Sequence, residues 1–169
     1  MLSDLIIMEV IACEFAANNA LLLAPLVKQQ QQRPEVVGVM IQKPSRAIFM
    51  QAASQLNIPF EQWWESLRAL LPEEKDVDGL GIANARKIAA GQKAIFPATM
   101  RAVLSALQAT NTYPDDKSQI LLLGKSDLLG IPLADYWQQQ GLMVSLREKQ
   151  DWPVLKRAGL QQFSHLISE

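Results

Sequence analysis

From about residue 117 the chain alternates apolar β-rich runs with helical stretches, and this order constrains the fold more than any other feature. "QILLLG" (119 to 124) reads as a strand, and "LLGIPLADYWQQQ" as a helix entered through Pro132 and stopped by Gly141. "LMVSL" (142 to 146) is a second strand, "DWPVLKRAG" (151 to 159) a helix and "FSHLIS" (163 to 168) a third strand. Proline is tolerated in a helix's first turn because the amide it lacks would be unpaired there anyway. Strand, helix, strand, helix, strand predicts a parallel sheet with right-handed crossovers, so the fold class is α/β.

The first hundred residues read differently. Residues 3 to 17 are expected to form a helix capped by Ser3 or Asp4, with Leu5, Met8, Ile11 or Ala12, and Phe15 on one face. Residues 20 to 32 give a second helix, with "QQQQ" as an exposed end. "EVVGVMIQ" (35 to 42), set between Pro34 and Pro44, has the pattern of a buried parallel strand. Residues 46 to 57 and 60 to 71 read as helices; Trp63 and Trp64 on the second fit packing better than a ligand box. "IANARKIAAG" (82 to 91) is a short helix stopped by Gly91, and another helix follows Pro97.

With 169 residues the chain is long enough for one domain or two small lobes. Hydrophobic residues make up 49% and charged residues 20%, which favours folding over disorder. A net charge of −1 without a strongly basic stretch gives no footprint for nucleic acid. The apolar N-terminal run lacks a basic region before it and is interrupted by Glu9 and Glu14, so neither a signal peptide nor a span of the roughly 18 residues that cross a membrane is expected. A single cysteine, Cys13, fits a reducing compartment, and a cytoplasmic location is expected.

Two stretches carry possible chemistry. After the first strand of the second half comes "GKSDLLG", Gly124 to Gly130. Glycines at the strand end and the helix entrance let backbone approach a phosphate, towards which the helix amides point. The same pattern also serves a plain tight turn. The second strand ends in Arg147 and Glu148; Arg147 would suit a 2′-phosphate and Glu148 a free ribose hydroxyl.

The other stretch is "PEEKDVDGLG" (72 to 81), with four acidic residues. A calcium loop counted from Asp76 fails, because Leu80 and Lys87 stand where oxygen donors are needed. With His165 the sole histidine, no metal site is expected. The stretch is either a solvated turn or a turn whose carboxylate accepts a parallel pair of N–H donors, as from the aminopyrimidinone edge of a pterin.

The order "GVMIQKP", "PEEKDVDGL…N", "FPAT", "LLLGKSDLLGIPLADYW", "LMVSL" resembles the bifunctional methylenetetrahydrofolate dehydrogenase/methenyltetrahydrofolate cyclohydrolase family. That family reads G-[IV]-[LM]-V-Q-[LM]-P, P-x-K-D-V-D-G-[LF]-x-x-x-N, P-C-T-P and V-x-G-R-S-x-I-V-G-x-P, in this order. The resemblance implies an N-terminal folate-binding catalytic lobe (1–98), a partial Rossmann-like lobe (99–169) and a cleft between them. Within the cleft it implies Asp78 on the pterin edge, with Gln42 and Pro44 beside the reacting carbon. Thr99, Gly124, Lys125, Ser126, Gly130 and Arg147 are expected to border NADP, with NAD or no cofactor as alternatives.

The chain also departs from the family. The family's Y-x-x-x-K motif aligns with Leu5 and Glu9, which puts a carboxylate where the family has its proton-handling lysine. Such a charge reversal removes electrophilic stabilisation. Lys125 replaces an arginine, keeping charge without the planar fork. The motif order ends at "HLIS", ahead of the family's last strands. Exposed sheet edges are therefore expected, to be covered by a second copy or a partner chain. The expectation for function is a dehydrogenase/cyclohydrolase of one-carbon metabolism with weak or lost activity. The alternative is a non-enzymatic folate- or nucleotide-binding module or subunit pairing with a full-length paralogue.

Overall fold

The computed structural model describes residues 19–52 and 57–168. The helix expected over 3–17, and with it Leu5, Glu9 and Cys13, lies outside the described residues. Two cores organise the described residues, one built from helices and one around a sheet.

The first core gathers α1 (Asn19–Gln32), α2 (Arg46–Ala52) and α3 (Phe60–Arg68). On α3, Phe60, Trp63, Trp64 and Leu67 fall at helical spacing and are all buried, as the apolar periodicity requires. Phe49 of α2 meets them edge to face, its ring centroid 5.0 Å from Phe60 and 4.9 Å from Trp63. Val27, Ile41, Leu71 and Leu80 complete the cluster. Both tryptophans serve packing, as expected from the sequence. Helix α3 stops at Arg68 rather than Leu71, and the chain turns there to bury Leu71.

The strand expected over 35–42 does not form. Among the described residues this segment makes one parallel bridge, Val39 with Asp76, through a 2.6 Å bond from the Val39 amide to the Lys75 carbonyl. A strand exists only with a ladder beside it, and the neighbour here is a single-turn 3-10 helix, Glu73–Lys75, that offers one carbonyl. Val37 and Met40 are accordingly exposed, while Ile41 reaches the core.

The second core follows the expected order closely. After α4 (Ile82–Ala89) and α5 (Ala98–Ala109) come β1 (Gln119–Leu123), α6 (Gly130–Gln139), β2 (Met143–Arg147), α7 (Trp152–Ala158) and β3 (His165–Ser168). The strands form one parallel sheet in the order β2-β1-β3. Residues 119–123 pair with 143–147, and 120–123 with 165–168. As the central strand, β1 is buried from Ile120 onward, in keeping with its unbroken apolar run. Ile120 and Leu122 pack with Met100, Leu104, Leu133 and Trp137. Strands β2 and β3 are the edges, and Met143 and Leu166 stay exposed on them. The mixed helix and parallel-sheet architecture is the α/β class read from the sequence. No described helix is long and apolar enough to cross a membrane.

Candidate functional site

The "KDVDG" turn is built around Asp76, which is fully buried. Its Oδ1 accepts from the Leu80 amide at 3.1 Å, and its Oδ2 accepts from the Gly81 amide and from Asn84 Nδ2, both at 2.7 Å. Asn84 in turn accepts from the Ile95 amide at 3.0 Å. A buried carboxylate persists where such donors replace its lost hydration. Lys75 extends from the same turn to the carbonyls of Gln31 and Arg33, at 2.7 and 3.2 Å, placing a cation at the C-terminal end of α1. Gly79 has φ 69°, and a Cβ there would lie 2.6 Å from the Ile95 carbonyl oxygen. Only glycine lets the turn close against the chain before α5.

This scaffold leaves Asp78 partly exposed, two residues beyond Asp76. Burial and then the negative charge of Asp76 raise its carboxyl above the ordinary 3.8, against a lowering bond from the Ala98 amide. Asp78 lines a cavity of about 320 Å³ together with Gln42, Lys43, Pro44 and Leu128. That volume is at the small end of the ~300–1,000 Å³ typical of ligand pockets. Gln42, Pro44 and Asp78, taken from two separate motifs, thus share one wall system.

Leu128 reaches the cavity from the Gly124–Gly130 turn. Gly124 has φ 116° and its amide donates to the Arg147 carbonyl at 2.9 Å, which seats the turn on β2. The Ser126 hydroxyl oxygen accepts from the amides of Leu128 and Leu129, at 3.2 and 3.1 Å. Those amides at the entrance of α6 are therefore satisfied from within. Gly130 is the buried first residue of α6. Lys125 is exposed and stands 3.7 Å from Glu148. Arg147 is exposed at the end of β2. Glu148 also closes a reciprocal capping arrangement with Asp151, so it has a structural use apart from any ribose. Thr99, in the first turn of α5, is exposed and lines neither this cavity nor a second one of about 250 Å³ bounded by Leu123, Lys149, Trp152, Leu166 and Ser168.

Asp127 is not among the residues that the motifs mark for a site, yet it joins the two cores. Its Oδ1 accepts from Lys43 Nζ at 2.6 Å. Its Oδ2 accepts from Trp64 Nε1 and lies 3.3 Å from Arg68 Nη1. Burial alone would push its carboxyl up. The hydrogen bonds from Lys43 and Trp64 and the charges of Lys43 and Arg68 outweigh that, and the net effect holds it below the ordinary value. Lys43 also sits over the rings of Trp64 and Phe60, 5.3 and 5.9 Å from their centroids. The signal available in the sequence was the lysine inside "QKP", where the family pattern carries leucine or methionine.

No protein-family model matches the chain. "Bifunctional protein FolD" of Coprothermobacter proteolyticus is 36% identical over 103 residues, covering 59% of this chain and 38% of that protein. The protein of the same name from Gluconacetobacter diazotrophicus is 32% identical over 130 residues, covering 76% of this chain and 37% of its own length. Among solved structures, a methylenetetrahydrofolate dehydrogenase from the silkworm Bombyx mori superposes with a TM-score of 0.66 at 19% identity, over 88% of this chain and 50% of that one. The Campylobacter jejuni FolD methylenetetrahydrofolate dehydrogenase/cyclohydrolase gives 0.65 at 19% identity, over 91% and 48%. The chain thus spans half or less of the length of the relatives it matches. In sequence and in fold it resembles, as a divergent relative, the bifunctional methylenetetrahydrofolate dehydrogenase/cyclohydrolase family.

Proposed function

We propose that the cavity binds the pterin edge of a folate-type molecule and that the Gly124–Gly130 turn borders NADP. On this reading residues 1–98 form the folate-binding lobe and 99–169 a partial nucleotide-binding lobe. The observation that carries it is the convergence of Gln42, Pro44 and Asp78 on one cavity, with Leu128 of the glycine-bounded turn on its wall. Asp78 would accept the paired N–H donors of the aminopyrimidinone, while Gln42 and Pro44 position the ring. A structure of the Trypanosoma brucei relative is described as complexed with NADP cofactor and inhibitor, which supports NADP as the cofactor to test. The residues present fit an anionic cofactor in part. Lys125 and Arg147 are exposed cations at the carboxyl ends of β1 and β2, where ligands of open parallel sheets bind. Bound NADP would supply the hydride acceptor; this chain would bind and orient.

Turnover is proposed to be weak or lost, because Glu9 stands at the family's lysine position and reverses its charge. The test is methylenetetrahydrofolate-dependent NADP reduction by the purified chain, with calorimetric titration of folate and of NADP. Binding without turnover is expected, and turnover in the ordinary enzymatic range would overturn the loss of activity. Binding of neither ligand would overturn the site itself. A second reading, a binding module that pairs with a full-length paralogue, is favoured by Ser126. Its hydroxyl occupies the Leu128 and Leu129 amides that a phosphate would otherwise use. The exposed edges β2 and β3 are where a second copy or such a paralogue would pair, and the cytoplasm is the proposed location.

A further inference from the structure

Among the residues lining the 320 Å³ cavity, Lys43 is the one cation and Asp78 the one carboxylate. An ammonium carries three N–H donors. Asp127 takes one of them at 2.6 Å, and the faces of Trp64 and Phe60 attract the charge without supplying a lone pair. Arg68, 3.3 Å from Asp127, shares that carboxylate with Lys43, so Asp127 does not serve the ammonium alone. The Lys43 side chain is 26% exposed and Asp127 only 11%, an arrangement in which the carboxylate is sheltered and the ammonium keeps an outlet.

An aminopyrimidinone edge presents three groups in a row: an amino donor, a ring N–H donor and a carbonyl acceptor. A carboxylate satisfies the first two and leaves the carbonyl in need of a donor. We propose that Lys43 reads that carbonyl, and that Asp127 is the positioning residue holding the ammonium at the cavity wall. Lys43 then determines specificity for a 4-oxo over a 4-amino ring. This deepens the pterin reading of the cavity and rests on it. It is particular to this chain, because the family pattern has leucine or methionine where Lys43 stands. Of the other polar lining residues, Ser45 already uses its oxygen to cap the Ile48 amide at the start of α2, at 3.2 Å. Gln42 is a neutral donor, and hydrogen bonds involving a charged group are the stronger kind. A side chain already fixed by an ion pair and two rings also loses less freedom when it binds.

The test is isothermal titration of the whole chain at neutral pH with folic acid and with aminopterin, which carry oxygen or amine at the ring's fourth position; the amine also removes the neighbouring ring N–H that faces Asp78. The wild-type chain is expected to favour folic acid. Lys43→Met should weaken folic acid roughly ten-fold or more while leaving aminopterin little changed, so that the preference narrows by that factor to what Asp78 alone supplies. Lys43→Arg should keep the preference. Asp127→Asn should reduce it, with circular dichroism unchanged. Should Lys43→Met not fold, Lys43→Gln retains a donor able to reach Asp127 and is expected to show a smaller preference than wild type. A folic acid to aminopterin ratio unaffected by any Lys43 variant overturns the inference. If binding responds to Asp78→Asn but not to Lys43→Met, only the role of Lys43 falls; if neither probe binds the wild-type chain, the pterin reading falls with it.

Discussion

Two aspartates two residues apart do opposite jobs in "KDVDG". Asp76 is fully buried and serves three donors, so its removal strands the Leu80 and Gly81 amides and the Asn84 side chain. Asp76→Ala is expected to cost about 3 kcal/mol or more, read as a lowered urea midpoint. Asp78 is held the other way. Burial and the charge of Asp76 raise its carboxyl above 3.8, so the fold prefers its protonated form. That contribution is present below pH 3.8 and is lost as pH rises through the raised value. Asp78→Asn should therefore leave stability at neutral pH unchanged or higher while weakening pterin binding. A lower urea midpoint for Asp78→Asn would show that Asp78, too, is part of the scaffold. The motif points to Asp78 as the ligand contact, but nothing in it assigns Asp76 and Asn84 to the turn's interior. Burial decides between identical side chains, and a motif does not state burial.

At the scale of elements, the second half was legible because β1 pairs on both sides. An apolar run bounded by Gly124 and followed by helical periodicity has few alternatives once crossovers must be short. The segment 35–42 carried an equally apolar, β-branched run and did not become a strand, because ladder formation depends on a neighbour the local sequence does not specify. The turn into α6 shows the same dependence on context. "GKSD" reads as a phosphate-approaching turn, yet the Ser126 oxygen is spent on the Leu128 and Leu129 amides. Ser126→Ala should loosen the turn that leads into α6, at a cost of about 1 kcal/mol, as the loss of a hydrogen-bond acceptor does. It should also change NADP affinity in titration, strengthening it if the freed amides accept a phosphate. No change in thermal midpoint would contradict that turn-closing role. Gly79 gives the clearest element-level constraint. Gly79→Ala places a methyl against the Ile95 carbonyl at a φ of 69°, and it is expected to lower the thermal midpoint more than Ser126→Ala does.

Across the whole molecule, two cores with few shared apolar residues must be kept in one arrangement for the cavity to exist. Leu128 packs on the first core although its turn belongs to the second, α4 lies against α6 with Gln139 Nε2 donating to the Ala89 carbonyl at 2.8 Å, and Asp127 draws Lys43, Trp64 and Arg68 together. Removing one member of a partly buried ion cluster leaves its partners short of a charge, at a cost of about 1–3 kcal/mol. Asp127→Ala should therefore do more than lower stability; it should uncouple the cores. Far-UV circular dichroism and tryptophan fluorescence are expected to give coincident urea transitions in the wild-type chain and separated ones in the variant. The pH dependence has a definite sign. Asp127 is held below 3.8, so its contribution is present above that value and is lost as pH falls through the lowered one. The acid limb of the wild-type stability profile should flatten in Asp127→Asn. Coincident transitions in Asp127→Ala together with an unchanged acid limb in Asp127→Asn would mean that α4, α6 and Leu128 hold the cores together without the ion cluster.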